Sequence, residues 1–580
     1  MELNIPQKPC LVQTERGFSV SYKDRFLYSK YAPSRAIEGA IQNLSLLPGT
    51  LILAFSPALW LCLDKLLEKL PQDCFILGIE CDKALHDFAA EELKKLESDF
   101  LTESPNNAQK SFALLPFEQN DSIVNVLSGE GNFKGFQIPH ISTFRRAIPI
   151  EMSAGTQFSR EKYFKIAGLA QNTIASFWKN RITLTKLGRL YSRNLFKNLA
   201  KLPDSLDLRN LAHTIKQPIF VFGAGESIED TISNISVTLL KKCFLISVDA
   251  ATPALQEYGL HADAIIAVEG QLAIEKAYIG SGSKKSLIIA DMSSRTQVTR
   301  HSDFNPAYFA SKYTDASFFT RLSQMDFFPP VIPPLGSVGL TAVYAALLLR
   351  ENQNVPVFFS GLDFSFSSGR THAKNTPAHI ARLCSTNKFN PVENYAASFR
   401  NGAKRVQGKN KIEIFTDAAL ESYSKSFTDS FLGVPNVYDA GKQGLPLGMA
   451  EISSEKVRAY LGTVNSHSKD ESKFLTQKNA EKRNAIKESI RIYLENEEKA
   501  LNRIKELLMF GSDVADCSCS PEAELHELIA PREYLFLHFP DGYKCQTDDL
   551  SFLKRVRGQI DFFLKDIKNA LHGCSEKTLK

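Results

Sequence analysis

Gly223-Ala224-Gly225-Glu226-Ser227 stands where an apolar run, Pro218-Ile219-Phe220-Val221-Phe222, gives way to a helix-like sequence. Glycine tolerates a tight turn and lets a backbone come close to another group, and free N–H groups at a helix start attract an anion. Gly223, Gly225 and Ser227 are therefore candidates for a cradle around the phosphate of a nucleotide. The Gly-x-Gly-x-Ser spacing lacks the third glycine of the dinucleotide fingerprint, so an ordinary strand-to-helix turn is the competing explanation.

Two further apolar runs each end in an acid: Phe244-Leu245-Ile246-Ser247-Val248 at Asp249, and Ala264-Ile265-Ile266-Ala267-Val268 at Glu269. In an open parallel sheet the carboxyl ends of the strands line the ligand crevice, so Asp249 and Glu269 are expected to share a rim with the glycine turn. A carboxylate there can bind ribose hydroxyls or hold a metal, or merely cap the next helix. Downstream, Pro329-Pro330-Val331-Ile332-Pro333-Pro334 leads through Gly336 and Ser337 into a helix over 340–349, a second candidate cradle for an anion or base. Another buried strand, Val355–Ser360, ends at Gly361-Leu362-Asp363, followed by the polar loop Gly369-Arg370-Thr371-His372-Ala373-Lys374.

The elements that must position these residues form an α/β multidomain chain. At 580 residues it exceeds a single core, and 43% hydrophobic with 23% charged residues is ordinary for a globular protein. The excess of Lys and Arg over Asp and Glu, 69 − 64 = 5, gives no reason to expect nucleic acid. The ten cysteines are scattered, and their one close pair, Cys517-Ser518-Cys519, lacks zinc or redox spacing. Met1–Pro6 shows no charged-then-apolar leader, and apolar runs stop short of membrane-spanning length. These features predict a reduced, cytoplasmic protein without stable membrane insertion.

Residues 1–150 read as a small α/β domain, with strands over 51–55 and 74–79 and a helix starting at Ser56-Pro57. Over 158–199 the apolar period becomes helical, with a basic opposite face that includes Arg189, Arg193 and Lys197. Residues 151–202 are thus a helical connector to a central Rossmann-like domain at 203–450. From 451 to 580 the strand signal is lost, and two long amphipathic helices, near 486–508 and 552–571, predict a helical C-terminal domain.

The succession Val221-Phe222-Gly223-Ala224-Gly225-Glu226-Ser227, Ser247-Val248-Asp249-Ala250, Leu335-Gly336-Ser337-Val338 and Ser360-Gly361-Leu362-Asp363-Phe364, followed by Arg370-Thr371-His372-Ala373, resembles the central domain of the motility-associated factor (Maf) glycosyltransferases. Leu27-Tyr28-Ser29-Lys30-Tyr31-Ala32-Pro33 resembles their N-terminal entry segment. The resemblance covers most of the chain and is strongest over 218–380. It implies a sialyltransferase-like central domain that takes a nonulosonic acid, of the pseudaminic or legionaminic type, from its CMP-activated form to Ser or Thr of flagellin. Related central domains pyrophosphorylate 6-hydroxymethylpterin, so an ATP-dependent pterin pyrophosphokinase, or a non-catalytic flagellin-binding scaffold, is the alternative. Two departures are His261-Ala262-Asp263 where the family commonly has Pro-Asp, and Glu269 where it has Asp.

A CMP-sugar donor implies roles for the remaining residues. Gly223, Gly225 and Ser227 would hold the phosphate, Asp249 and Glu269 the ribose or sugar hydroxyls, and Gly336 and Ser337 the cytosine or phosphate. Arg370 would neutralise a donor carboxylate or phosphate, being a strong bidentate partner. His372, with an ordinary pKa of about 6.5, is the candidate base, and Asp363 is the alternative. No cofactor is expected to be required, although the acids leave room for Mg2+.

Overall fold

The computed structural model describes residues 8–103, 111–129, 136–465, 479–510 and 521–575, and the chain divides into two compact units, 1–186 and 187–580. Met1–Pro6 and the Cys517/Cys519 pair lie outside the described residues; the eight described cysteines are free thiols.

The first unit holds a three-stranded antiparallel meander, β1 (Cys10–Thr14), β2 (Gly17–Tyr22) and β3 (Arg25–Phe26). Its parallel sheet runs β6-β5-β4-β7, from β4 (Thr50–Phe55), β5 (Phe75–Ile79), β6 (Phe112–Leu114) and β7 (Arg146–Glu151). The expected helix after Ser56-Pro57 begins only at Leu63 and runs to Glu68. Ser56, Trp60 and Cys62 all take positive φ, which a helix cannot accommodate. Tertiary anchors hold that bend: Trp60 Nε1 donates to Ala89 O at 3.1 Å and Ser56 Oγ to Glu80 Oε2 at 2.7 Å. The helical period over 158–199 is realised as one 40-residue helix, Arg160–Leu199, within which the two units divide.

The second unit is built on nine parallel strands in the order β13-β12-β11-β10-β9-β8-β14-β17-β18. Its centre is β8 (Ile219–Phe222), flanked by β9 (Phe244–Val248) and β14 (Val357–Ser360). Outward from β9 lie β10 (Ala264–Ala267), β11 (Leu287–Asp291), β12 (Ala307–Ser311) and β13 (Val331–Ile332). Beyond β14 lie β17 (Val437–Asp439) and β18 (Ala450–Glu451), after a hairpin of β15 (Lys404–Gln407) and β16 (Glu413–Thr416).

Strand alternation sorts the core. Ile219, Val221, Ile246 and Val248 pack with Leu340, Val343 and Ala346 of the helix Val338–Leu349 on one face. Phe220, Phe222 and Leu245 pack with Ile228, Ile232 and Ile235 of the helix Ser227–Ile235 on the other. The prolines at 329–334 leave only a two-residue strand at the sheet edge, where a missing N–H costs little. The chain runs outward from β8 to β13 and then returns to place β14 on β8's other side, so the topological switch falls between β8 and β14. The C-terminal part is helical as expected, with Ala480–Phe510 and Leu550–Ser575. Its last helix takes up part of the basic face: Arg193 Nε and Lys197 Nζ lie 2.5 and 3.2 Å from Asp566, and Arg189 Nη1 donates to Gln559 Oε1 at 3.3 Å.

Candidate functional site

The glycine turn falls at the switch point, but its amides are largely committed within the protein. Gly223 N donates to Ser360 O at 2.8 Å, Gly225 N to Gly361 O at 2.9 Å and Ser227 N to Asp363 Oδ2 at 3.0 Å. This corrects the expectation that Gly223, Gly225 and Ser227 present a phosphate cradle. The physical reason is the crossing of two strand-end turns. A Cβ on Gly223 would lie 2.2 Å from Gly361 O, and one on Gly225 2.5 Å from Asp363 Oδ2. The glycines admit the backbone of the 361–363 turn in place of a ligand. Only the N–H groups of Ala224 and Glu226 lack an acceptor among the described residues.

Asp363 and Ser227 form the brace under this crossing. Ser227 Oγ donates to Asp363 Oδ1 and accepts from Gly361 N at 2.8 Å. Burial pushes the Asp363 carboxyl up to about 6, against the Ser227 bonds and the Lys409 charge. Lys409 Nζ, itself buried, lies 2.5 Å from Asp439 Oδ2 at the end of β17. With both oxygens held by Ser227 and the side chain buried, Asp363 is placed as a structural acid, not as the alternative base.

Asp249 differs. It is buried, and only its Oδ1 has a partner, the N–H of Ala250 at 2.7 Å; Oδ2 has none. Burial, aided by the nearby Glu269 charge, raises its pKa to about 7. Tyr278, close enough to feel the Asp249 charge, is also buried with an unpartnered hydroxyl. Glu269 is exposed and accepts from Gln271 N at 2.9 Å. Asp249 Oδ2 and the Tyr278 hydroxyl are thus two buried polar atoms without a partner among the described residues, and such atoms call for a hydrogen-bonding group, water included.

Ser337 caps the helix Val338–Leu349, accepting from Gly339 N at 3.3 Å, and Gly336 takes φ +75° with Tyr423 in van der Waals reach of any Cβ placed there. Leu362 ties this helix start to the glycine turn, since its Cδ2 would lie 2.6 Å from a Cβ on either Gly223 or Gly339. The loop carrying Arg370 and His372 docks on the turn from another side. Ala373 N donates to Ala224 O at 2.9 Å, and Lys374 N to Glu229 Oε1 at 2.8 Å. Arg370 is already paired with Glu229, and its Nε lies 3.8 Å from Glu226 Oε2. It therefore anchors the loop, so the role of an uncommitted anion receptor does not fit it. His372 is exposed, accompanied by Thr371 Oγ1 at 3.0 Å, and desolvation by its surroundings holds its pKa below the usual imidazole value.

Sequence reasoning missed Glu226 and Glu229, which fix the His372 loop, and Lys409, which neutralises Asp439. Neither acid signalled its cation partner, because acids opening a helix are already accounted for by the helix dipole. Lys409 gives no signal either, because its partner lies 30 residues away. Among the described residues no group of three or more His, Cys, Asp or Glu is arranged to hold a metal ion, and no helix is long and apolar enough to cross a membrane.

Comparison with known proteins gives a family match, a relative and a fold likeness. Residues 193–369 match the family described as 6-hydroxymethylpterin diphosphokinase MptE-like. A protein of Treponema pallidum (strain Nichols), described only as an uncharacterized protein, is 30% identical over 574 residues, spanning 96% of this chain and 94% of that one. The structure of a Maf glycosyltransferase from Magnetospirillum magneticum AMB-1 superposes with a TM-score of 0.52 at 15% identity, covering 99% of this chain and 91% of that one. At that identity the likeness concerns the fold.

Proposed function

The chain belongs to one family with the Treponema pallidum protein, a family of Maf-like fold with an MptE-like domain, and from that premise we propose a glycosyltransferase. The reaction moves a nonulosonic acid of the pseudaminic or legionaminic type from CMP to Ser or Thr of flagellin. The observation carrying this reading is the acid pair at the ends of β9 and β10. The unpartnered Oδ2 of Asp249 needs a hydrogen-bond donor and Glu269 stands within its electrostatic reach; the vicinal hydroxyls of a ribose supply such donors. With three amides of the glycine turn committed, the donor phosphate falls to the N–H groups of Ala224 and Glu226 and to the helix start at Ser337.

In the transfer step the acceptor hydroxyl oxygen bonds to the anomeric carbon while the bond from that carbon to the phosphate oxygen breaks. CMP leaves with the electron pair, and His372 takes the hydroxyl proton. A depressed His372 pKa keeps the imidazole neutral at pH 7, the form able to accept that proton. Substitution His372→Gln should slow transfer by about 10^2-fold or more while leaving CMP binding intact. Undiminished glycosylation, scored by acceptor mass, would remove the base assignment. The MptE-like match favours a second reading, pyrophosphoryl transfer from ATP to a hydroxymethylpterin. Melting curves separate the two: CMP should raise the melting temperature under the first reading and ATP under the second. A shift with neither would leave a binding scaffold.

A further inference from the structure

The segment 366–411, beyond β14, carries nine Lys and Arg but a single acid, Glu393. Five of these cations are neutralised within the protein: Arg370 as above, Arg400 by Asp417, Lys404 by Glu421, Arg405 by Glu413 and Lys409 by Asp439. Lys374, Arg382, Lys388 and Lys411 have no acidic partner among the described residues. A cavity of about 150 Å3 is lined by Arg370, His372, Lys374, His379 and Arg382, with Glu393 also in its wall.

The same segment turns apolar side chains outward. The helix Pro377–Cys384, capped by Thr376, buries none of its residues. Ile380, Leu383 and Tyr395 are half exposed, Phe389 is 90% and Phe399 82% exposed. A single exposed apolar residue is unremarkable, but five within twenty residues of one folded segment are the mark of a binding surface. Several hydrogen bonds hold their scaffold. Asn390 Nδ2 donates to Ser385 O at 2.8 Å, Arg382 Nη2 to Glu393 O at 3.3 Å, and Asn394 N to Gly369 O at 2.6 Å.

We propose that residues 374–399 are the docking surface for the acceptor polypeptide, a segment carrying Asp or Glu beside Phe, Leu or Ile, which delivers its hydroxyl to His372; this rests on the transferase reading. Unpaired cations meet the acids, and Phe389 and Phe399 supply the exposed anchors that dominate peptide recognition. A polypeptide fits better than an anionic lipid surface, because two of the unpaired cations, Lys374 and Arg382, line a cavity of side-chain size that also holds His372.

The test uses the full chain and a labelled synthetic peptide alternating acidic and apolar residues around one Ser. The double substitution Phe389→Ala/Phe399→Ala and, separately, Lys388→Glu should each weaken peptide binding about tenfold, while the CMP-induced rise in melting temperature persists. Unchanged peptide affinity in these variants, with the CMP shift intact, would overturn the docking proposal alone. So would vesicles of phosphatidylglycerol and phosphatidylcholine binding wild type, but not the variants, where the peptide does not bind. Peptide binding by a wild-type chain that ignores CMP would overturn the transferase reading and, with it, the acceptor role.

Discussion

Asp249 and Asp363 are both buried strand-end carboxyls, yet Ser227 holds both oxygens of Asp363 while Asp249 keeps one free. That difference was invisible in the sequence, where each is an acid after an apolar run; it depends on which backbone crosses above it. It has a pH signature. The Asp249 carboxyl titrates at about 7 in the folded chain and at about 3.9 unfolded. Between those values the native state binds more protons than the unfolded one, so this group makes stability fall as pH rises. Below about pH 4 both states are protonated and the contribution is constant. Calorimetry should find Asp249→Asn melting higher than wild type at pH 8 and converging with it at pH 4. Parallel pH profiles would show that Asp249 is not desolvated as described. The activity limb has the opposite sense: transfer should fail as pH drops through the depressed His372 value, measured as kcat/KM against pH.

At the scale of elements, the strands at the centre of the sheet and the long helices were legible because apolar period and length agree. β17 and the β15–β16 hairpin were missed, being short and carrying mixed or exposed residues, and β12 was missed although four of its five residues are buried, because Ala-Tyr-Phe-Ala-Ser has no β-branched run. The glycine turn was legible as a turn but not in its use. Type and spacing of Gly223 and Gly225 serve equally for a phosphate or for the approach of a second backbone, and here the 361–363 turn takes the place. Gly223→Ala should therefore cost about 3 kcal/mol or more, since its Cβ would meet a carbonyl, not the end of a flexible side chain. Gly558→Ala, in the middle of the helix Leu550–Ser575 with nothing within 4 Å, should instead stabilise by about 0.5–1 kcal/mol. Denaturant titration of the two variants checks both signs. Lys409→Met, which strands Asp439 as a buried charge, should cost about 3–5 kcal/mol.

At the scale of the whole chain, the division into two units falls within the helix Arg160–Leu199, and the site residues all belong to the second unit. Segments after residue 480 secure the part of that helix running from Arg193: Asp566 of the helix Leu550–Ser575 pairs with Arg193, and Tyr534 of a short turn packs on Phe196 with ring centroids 5.0 Å apart. A fold of this kind shares its frame among different reactions, so the identity of the bound nucleotide decides which one this chain performs. The most direct measurement is titration calorimetry of the full chain with CMP and with ATP, repeated on Asp249→Asn and Glu269→Gln. CMP should bind wild type and bind each variant about tenfold more weakly, with ATP bound poorly by all three. CMP affinity indifferent to both substitutions, or ATP bound in its place, would mean that the acids ending β9 and β10 do not receive a cytidine donor.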